Sequence, residues 1–337
     1  MGMIKKGISA STRTFLLGAI AALAVGAAPQ ASAENPAAYP TRPIRLVLPF
    51  PPGGGTDTLA RLIAPKLAKE LGQPVVVYNR PGASGNIATE MVAKADPDGY
   101  TVLMGFNTAL TVNPLLYKNL TFNVQRDFKP ITLLASAQYV LVVNTSSVHA
   151  KSVKELIALA KSKPGKLNYS SSGVGSPLNL AAELFKFRTG TNIKHIPYKG
   201  GGPATMGLLS GEVQLMFGSV AAVMPHVHEG KLRALAVTGL KRSPVAPNLP
   251  TLNESGFPGF DVTSWYGLLV PKKTPDAIVA RLQAAAQKAV QSPEVKEAMA
   301  KQGLEIVTDT PKEFASLIKN ETRGWADLVK KMKITIN

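Results

Sequence analysis

The segments best suited to chemistry are three loops rich in glycine and hydroxyl residues: Pro49 to Asp57 (PFPPGGGTD), Ser170 to Pro177 (SSSGVGSP) and Tyr198 to Ala204 (YKGGGPA). Each falls between a short β-rich run and a helical pattern. Unpaired backbone N–H groups there lie at the positive end of a helix dipole with hydroxyls beside them, an arrangement that suits a small anion. One glycine cluster in a strand-to-helix turn is simple turn geometry; three, divided between two α/β units, are harder to dismiss. Neither Gly53-Gly54-Gly55 nor Gly200-Gly201-Gly202 carries the ending of a P-loop or the spacing of a dinucleotide fingerprint, so a nucleotide is not implied.

Catalytic and metal chemistry find less support. The histidines are His149, His195, His226 and His228; the last two are separated by two positions, which does not put both on one helical face, and no acidic set nearby completes a metal site. The chain has no cysteine, which excludes cystine frameworks, thiolate metal sites, a thiol nucleophile and a lipid-modified cysteine anchor. No G-x-S-x-G elbow occurs, and the S-x-x-K of Ser316 to Lys319 sits in mid-helix without its usual companions. Asp96 and Asp98 flank Pro97 beside Gly99, the composition of a solvated turn. The expectation is a protein without catalytic residues, metal or cofactor.

The elements that must position the three loops follow from the pattern around them. At 337 residues, 45% hydrophobic and 18% charged, the chain has room for two ordinary domains and is neither disordered nor a coiled coil. The net charge of +17 is spread in singles and pairs without aromatic interleaving, which argues against nucleic acid. Residues 1–33 read as a secretory leader: Lys5, Lys6 and Arg13 precede the apolar run Phe15 to Ala28, and Ala31-Ser32-Ala33 offers a cleavage site. That run is too short to span a bilayer.

The rhythm of strand, loop and helix then predicts α/β units with parallel sheets. A first set runs from Ile44 to Leu48 through Tyr100 to Phe106, and a second begins after Tyr139 to Asn144. Beyond Trp265 to Val270 the pattern becomes mainly helical, with Pro275, Pro293 and Pro311 opening helices. The extended runs Tyr139 to Asn144 and Trp265 to Val270 bracket the second set and read as hinge crossings. The expected organisation is a discontinuous first domain, residues 34–140 and 263–337, and a continuous second, 141–262. Loops at the carboxyl ends of the strands of both domains would face each other across a cleft.

At these residues the chain resembles the substrate-binding receptors of tripartite tricarboxylate transporters, the Bug-type receptors. The resemblance covers nearly all of the chain after the leader, through PFPPGGGTD, Asn79 to Asn86 (NRPGASGN), Asp96 to Tyr100 (DPDGY), SSGVGSP, Pro197 to Ala204 (PYKGGGPA), Gly230 to Val237 (GKLRALAV), Pro250 to Gly256 (PTLNESG) and Trp265 to Pro275. It implies an α/β, two-domain periplasmic binding protein, a type II-like Venus flytrap. Such a receptor holds a small carboxylate between its domains by backbone amides, hydroxyls and waters, and delivers it as a monomer to membrane permease subunits.

Carried over residue by residue, Phe50, Pro51, Gly54, Gly55, Thr56 and Asp57 form one wall, helped by Ser84, Asn107 and Thr108. Ser172, Gly173, Gly175, Ser176 and Tyr198, with Lys199, Gly200 and Ala204 nearby, form the other. Asp57 is read as a helix cap that orients its loop and Lys199 as a rim charge. Two positions depart from the family pattern. Asn179 stands where His is common, and Gly218 follows Phe217 where Asp is frequent, which would remove a polar contact and enlarge the site. The alternative role is a ligand-loaded receptor that signals to a membrane sensor kinase.

Overall fold

The computed structural model describes residues 2–3, 38–52 and 55–332. Gly54 and, apart from residues 2 and 3, the expected leader lie outside the described residues. The first half of the chain contains β1 (Ile44–Leu48), α1 (Gly55–Leu71), β2 (Val75–Asn79), α2 (Asn86–Ala93), β3 (Thr101–Phe106), the short helices α3 (Asn113–Leu116) and α4 (Val124–Asp127), β4 (Phe128–Asn144) and α5 (Val153–Ser162). There follow β5 (Asn168–Ser171), α6 (Pro177–Thr189), β6 (Lys194–Pro197), α7 (Gly201–Leu209), β7 (Leu215–Ser219), α8 (Val220–His228), β8 (Leu232–Val237), β9 (Thr263–Pro271), α9 (Asp276–Gln291), α10 (Pro293–Lys301), β10 (Glu305–Ile306) and α11 (Pro311–Met332).

Local chemistry explains where several helices begin. Ser152, Ser176 and Ser292 each accept a backbone N–H of the first turn of α5, α6 and α10, and Pro177 and Pro293 follow where a missing N–H costs nothing. Before α11, Thr310 and Glu313 exchange side-chain and backbone hydrogen bonds as a capping box. Among the described residues no helix is long and apolar enough to cross a membrane. The helix α8 has no counterpart in the sequence pattern, because Pro225 inside it argues against a helix interior.

Parallel pairing holds within the two α/β sets: β1 lies between β2 and β3, and β5 between β6 and β7. The strands that join the sets are antiparallel, so the sheet as a whole is mixed. β3 pairs with β9, and β9 with the first part of β4, Phe128 to Gln138. The last part of β4, Tyr139 to Asn144, pairs instead with β7 and β8. Thus β4 runs 17 residues where the sequence marks only Tyr139 to Asn144 as extended. Its first part is buried on both faces and contains Pro130, so it shows no two-residue alternation to betray it.

Among the described residues three apolar clusters form the core. One, around Val140, Phe185, Phe217 and Leu235, fills the second α/β set. The others cover opposite faces of the first sheet: Leu59, Ile63, Leu282 and Leu268 on one side, and Val47, Leu103, Trp265 and Phe314 on the other. The alternation of β9 fits this division, since Leu268 and Val270 serve one face while Trp265 and Leu269 serve the other. On the latter face Gly267 lets α11 approach. A Cβ there would lie 2.4 Å from the Phe314 ring and 3.0 Å from the Thr132 carbonyl oxygen. Gly267→Ala should therefore cost about 1–3 kcal/mol of stability through overpacking. Urea unfolding monitored by circular dichroism would show a lower midpoint at unchanged slope, and an unchanged midpoint would refute the close approach.

Candidate functional site

A cavity of about 490 Å³ opens over the carboxyl ends of the parallel strands. One wall is Phe50, Pro51 and Thr56 from the loop into α1, Ser84 from the turn before α2, and Phe106 and Thr108 from the end of β3. The opposite wall is Ser172, Val174, Gly175, Ser176 and Pro177 from the loop into α6, with Gly200 and Gly201 at the start of α7. Tyr139, Ser264 and Tyr266 form the floor, on the two strands that pass from one set to the other. None of these lining residues is charged. A second chamber of about 310 Å³ shares Tyr139, Ser172, Gly201 and Tyr266 and continues to Met216, Ser219 and Leu304, again without a charged residue. A further hollow of about 440 Å³ lies at the amino ends of β1 and β3, around Arg42, Arg45 and Asp98, and contains no expected site residue.

The first wall is braced from behind by a polar cluster. The Asn79 amide donates to Asp57 Oδ1 at 2.9 Å and to the Phe50 carbonyl at 3.0 Å, while Arg61 donates to Asp57 Oδ2 at 2.8 Å. Asp57 lies in the first turn of α1, its carboxylate is engaged by these donors, and it is not among the residues that line the cavity. The Phe50 ring packs on Phe106 at 4.6 Å between centroids. Ser84 is held at φ 52° by the Asn113 amide on its carbonyl and the Tyr117 hydroxyl on its Oγ. Asn107 turns away to the Thr263 carbonyl and Glu321, whereas Thr108, only 2% exposed, has a hydroxyl with no partner among the described residues.

Beneath the second wall runs a continuous network. Ser176 caps α6 and donates to the Gly173 carbonyl at 2.7 Å. Asn179 accepts the Gly175 N–H at 3.0 Å and donates to the Tyr169 hydroxyl, which in turn donates to Glu183. Gly173 and Gly175 take φ of 123° and 74°, where a side chain would be strained. Ser171 Oγ lies 2.6 Å from His195 Nε2, and the imidazole stacks on Tyr169. This serine and histidine pair escaped the sequence reading, because only the pairing of β5 with β6 brings the two side chains together. Ser171 is fully buried, bonds to both the N–H and the carbonyl of Gly173, and does not line the cavity. Its geometry is that of a brace.

Other expected residues are also turned from the cavity. Tyr198 lies over Gly207, where a Cβ would meet its hydroxyl at 2.3 Å, and burial together with Glu212 pushes the phenol up to about 12. Lys199 is exposed, and Ala204 is buried with its carbonyl on Ser170. Gly218 does not enlarge the site: it lines neither chamber, and a Cβ there would lie 2.3 Å from Val223, so its size serves the packing of α8 on β7. Of the residues expected, Phe50, Pro51, Thr56, Ser84, Thr108, Ser172, Gly175, Ser176 and Gly200 meet at the cavity. Phe106, Tyr139, Val174, Pro177, Gly201, Ser264 and Tyr266 join them unforeseen. The sequence signal for the floor is that Tyr139 and Tyr266 fall in the two runs marked as hinge crossings.

Burial raises the pKa of both floor phenols, and the Tyr139 hydroxyl shares a 2.5 Å hydrogen bond with Ser264 while Tyr266 is paired with Thr56. Among the described residues no group of three or more His, Asp or Glu could hold a metal ion. What the cavity offers is a set of neutral donors: hydroxyls of serine, threonine and tyrosine, and the N-terminal ends of α1, α6 and α7. Such donors solvate an anion's oxygens without a formal ion pair.

Two α/β sheet regions sharing antiparallel strands, with this cavity between their facing loops, define a two-domain solute-binding protein of the Venus flytrap kind. Within that class the chain belongs to the tripartite tricarboxylate transporter receptor family, TctC, whose model matches residues 59–334. Protein BugT of Bordetella pertussis is 41% identical over 293 residues, covering 87% of this chain and 90% of the relative. The structure of R. palustris Rpa4515 with adipate matches with a TM-score of 0.78 at 37% identity, covering 88% of this chain and 99% of that one. That of MatC (Rpa3494) from Rhodopseudomonas palustris with bound malate gives 0.74 at 33%, covering 86% and 100%.

The brace at His195 carries a pH signature. Burial lowers its pKa from 6.5, with Glu183 opposing and Lys186 adding to the shift. A base whose pKa is lower folded than unfolded stabilises the fold above its unfolded value, and that share is lost as pH falls from about 6.5 through the folded value. Unfolding free energies of wild type and His195→Gln measured between pH 7.5 and 5 should diverge in slope, wild type falling more steeply. Parallel curves would show that His195 titrates alike in both states.

Proposed function

We propose that the protein is a non-enzymatic periplasmic receptor that captures a small organic carboxylate in this cavity and hands it to the permease subunits of a tripartite transporter. The observation that carries the reading is the cavity itself, walled by donors from both α/β sets and free of charged side chains. Membership of the receptor family and the adipate and malate of two similar structures support it. In this reading residues 1–33 are a cleaved leader, residues 34–140 with 263–337 form one domain, and residues 141–262 form the other.

The ligand's carboxylate sits between Thr56, Ser84 and Thr108 on one side and Ser172, Ser176 and the Gly200 end of α7 on the other. Gly55 completes the first wall, while Phe50 and Pro51 cover the ligand's apolar part. Asn107, Asp57, Gly173 and Tyr198 act from behind as supports. Closure of the domains on the ligand gives the state that the permease recognises.

Native mass spectrometry of the purified protein, followed by calorimetric titration with adipate, malate and citrate, tests the reading. A retained acid or saturable binding of one of these is the expected result; a folded sample that carries and binds no acid would refute it. Ser172→Ala should weaken the binding by about 1 kcal/mol or more through loss of a buried hydrogen bond. An unaltered Kd would remove Ser172 from the contact set.

A further inference from the structure

The Thr108 hydroxyl lines the cavity, is buried, and has no partner among the described residues, while the side-chain donors of its neighbours Asn107 and Thr111 are committed elsewhere. Asn107 Nδ2 donates to Oε1 of Glu321 at 3.1 Å, and the Thr111 hydroxyl lies 3.2 Å from the same oxygen and 2.9 Å from the Asn107 carbonyl, its one proton shared between the two acceptors. Oε2 of the same carboxylate accepts the Trp265 indole N–H at 2.5 Å, and Trp325 supplies another side-chain hydrogen bond. Asn107, Thr111, Trp265 and Trp325 are each at most 7% exposed in the folded chain, with individual values of 5%, 0%, 4% and 6%. Burial raises the pKa of Glu321, the hydrogen bonds oppose the rise, and no basic side chain contributes.

An acidic group set among apolar residues without a cation is costly unless its acceptors are fully used. Here both oxygens are used, by donors from three separate elements. Glu321 lies midway along α11, whose Phe314 and Ile318 pack with the first α/β set and whose Trp325 packs with the second. The carboxylate therefore sits where α11 passes between the sets, directly behind the turn that presents Thr108.

We propose that Glu321 is a positioning residue for the cleft: by holding Asn107 and Thr111 it fixes the turn that aims the Thr108 hydroxyl at the ligand, and it ties that turn to α11. The link to ligand rests on the receptor reading above, whereas the link to the turn does not. Gln at this position has the same size but only one acceptor oxygen. Its NH₂ must confront either the Trp265 N–H or the donors of Asn107 and Thr111.

The test compares wild type with Glu321→Gln at a temperature where both are folded by circular dichroism. Amide hydrogen exchange over residues 107–112 should accelerate about tenfold in the variant, as expected when a segment loses a charge-assisted hydrogen bond. Equal exchange would overturn the proposal. Should the variant fail to fold, Thr111→Val, which removes a single donor, replaces it; unchanged exchange over the same residues then overturns the proposal.

Calorimetry with adipate and malate supplies the second arm. Where wild type binds either acid, the variant should bind it at least about fivefold more weakly, the loss of one hydrogen bond's worth of free energy. The chain's two tryptophans both touch Glu321, so an intrinsic fluorescence change on ligand addition should accompany binding by wild type and be lost in the variant. Equal affinity would overturn the link to ligand, because a merely structural role would lower the melting temperature and leave affinity alone. A wild type that binds neither acid would count against the receptor reading, and exchange would still decide the role of Glu321 in the turn.

Discussion

One strand serving two sheets is the constraint on which the rest of the architecture depends. β4 cannot change partners without a junction, and that junction falls between Gln138, paired with Thr263 of β9, and Tyr139, paired with Ser219 of β7. The cavity floor is built at this point from Tyr139, Ser264 and Tyr266. Since side chains of a strand alternate, Ser264 and Tyr266 share the face toward the cavity, and Trp265 and Gly267 share the opposite face against Phe314 of α11. A single short segment of β9 thus sets the floor of the site and the seat of the last helix.

The loops are held to that frame by hydrogen bonds made behind the cavity rather than in it. Asn79 joins Asp57 to the Phe50 carbonyl, and Asn179 joins Gly175 to Tyr169. Each of these amides both donates and accepts, which lets one side chain lock two segments at once. The consequence is that the loops facing the cavity are fixed from behind, by side chains that do not line it. Preorganisation of this kind lowers the ordering cost of binding.

Sequence alone made the order of strands, loops and helices legible, since strand-to-helix turns with glycine, serine and capping residues declare themselves locally. It also singled out loops that meet at the cavity from segments more than a hundred positions apart, such as Thr56 and Ser172. What it did not reveal depends on pairing. The first part of β4 is buried on both faces and so lacks alternation, and the floor residues acquire their place only when β9 lies against β4. The direction of a side chain was the other blind point: Tyr198, Asn107 and Asp57 stand in the right loops but turn to Gly207, Glu321 and Arg61. Composition gives no sign of that, because the competing partners arrive from distant segments.

The contrast between a chain of net charge +17 and a cavity without one charged lining residue has a physical sense for the carboxylate proposed here. Charges on the surface act over about a Debye length, roughly 8–10 Å at physiological salt, and so raise the rate at which anions reach the cleft without holding them. A lysine or arginine in the cavity would hold the ligand more strongly, but it would also need a counter-charge whenever the cleft is empty. Hydroxyls and helix-end N–H groups have no such need, because water satisfies them in the open state and a carboxylate replaces that water on closure. A receptor that must both capture and release is better served by donors of this second kind, with affinity set by how many of them closure brings within reach.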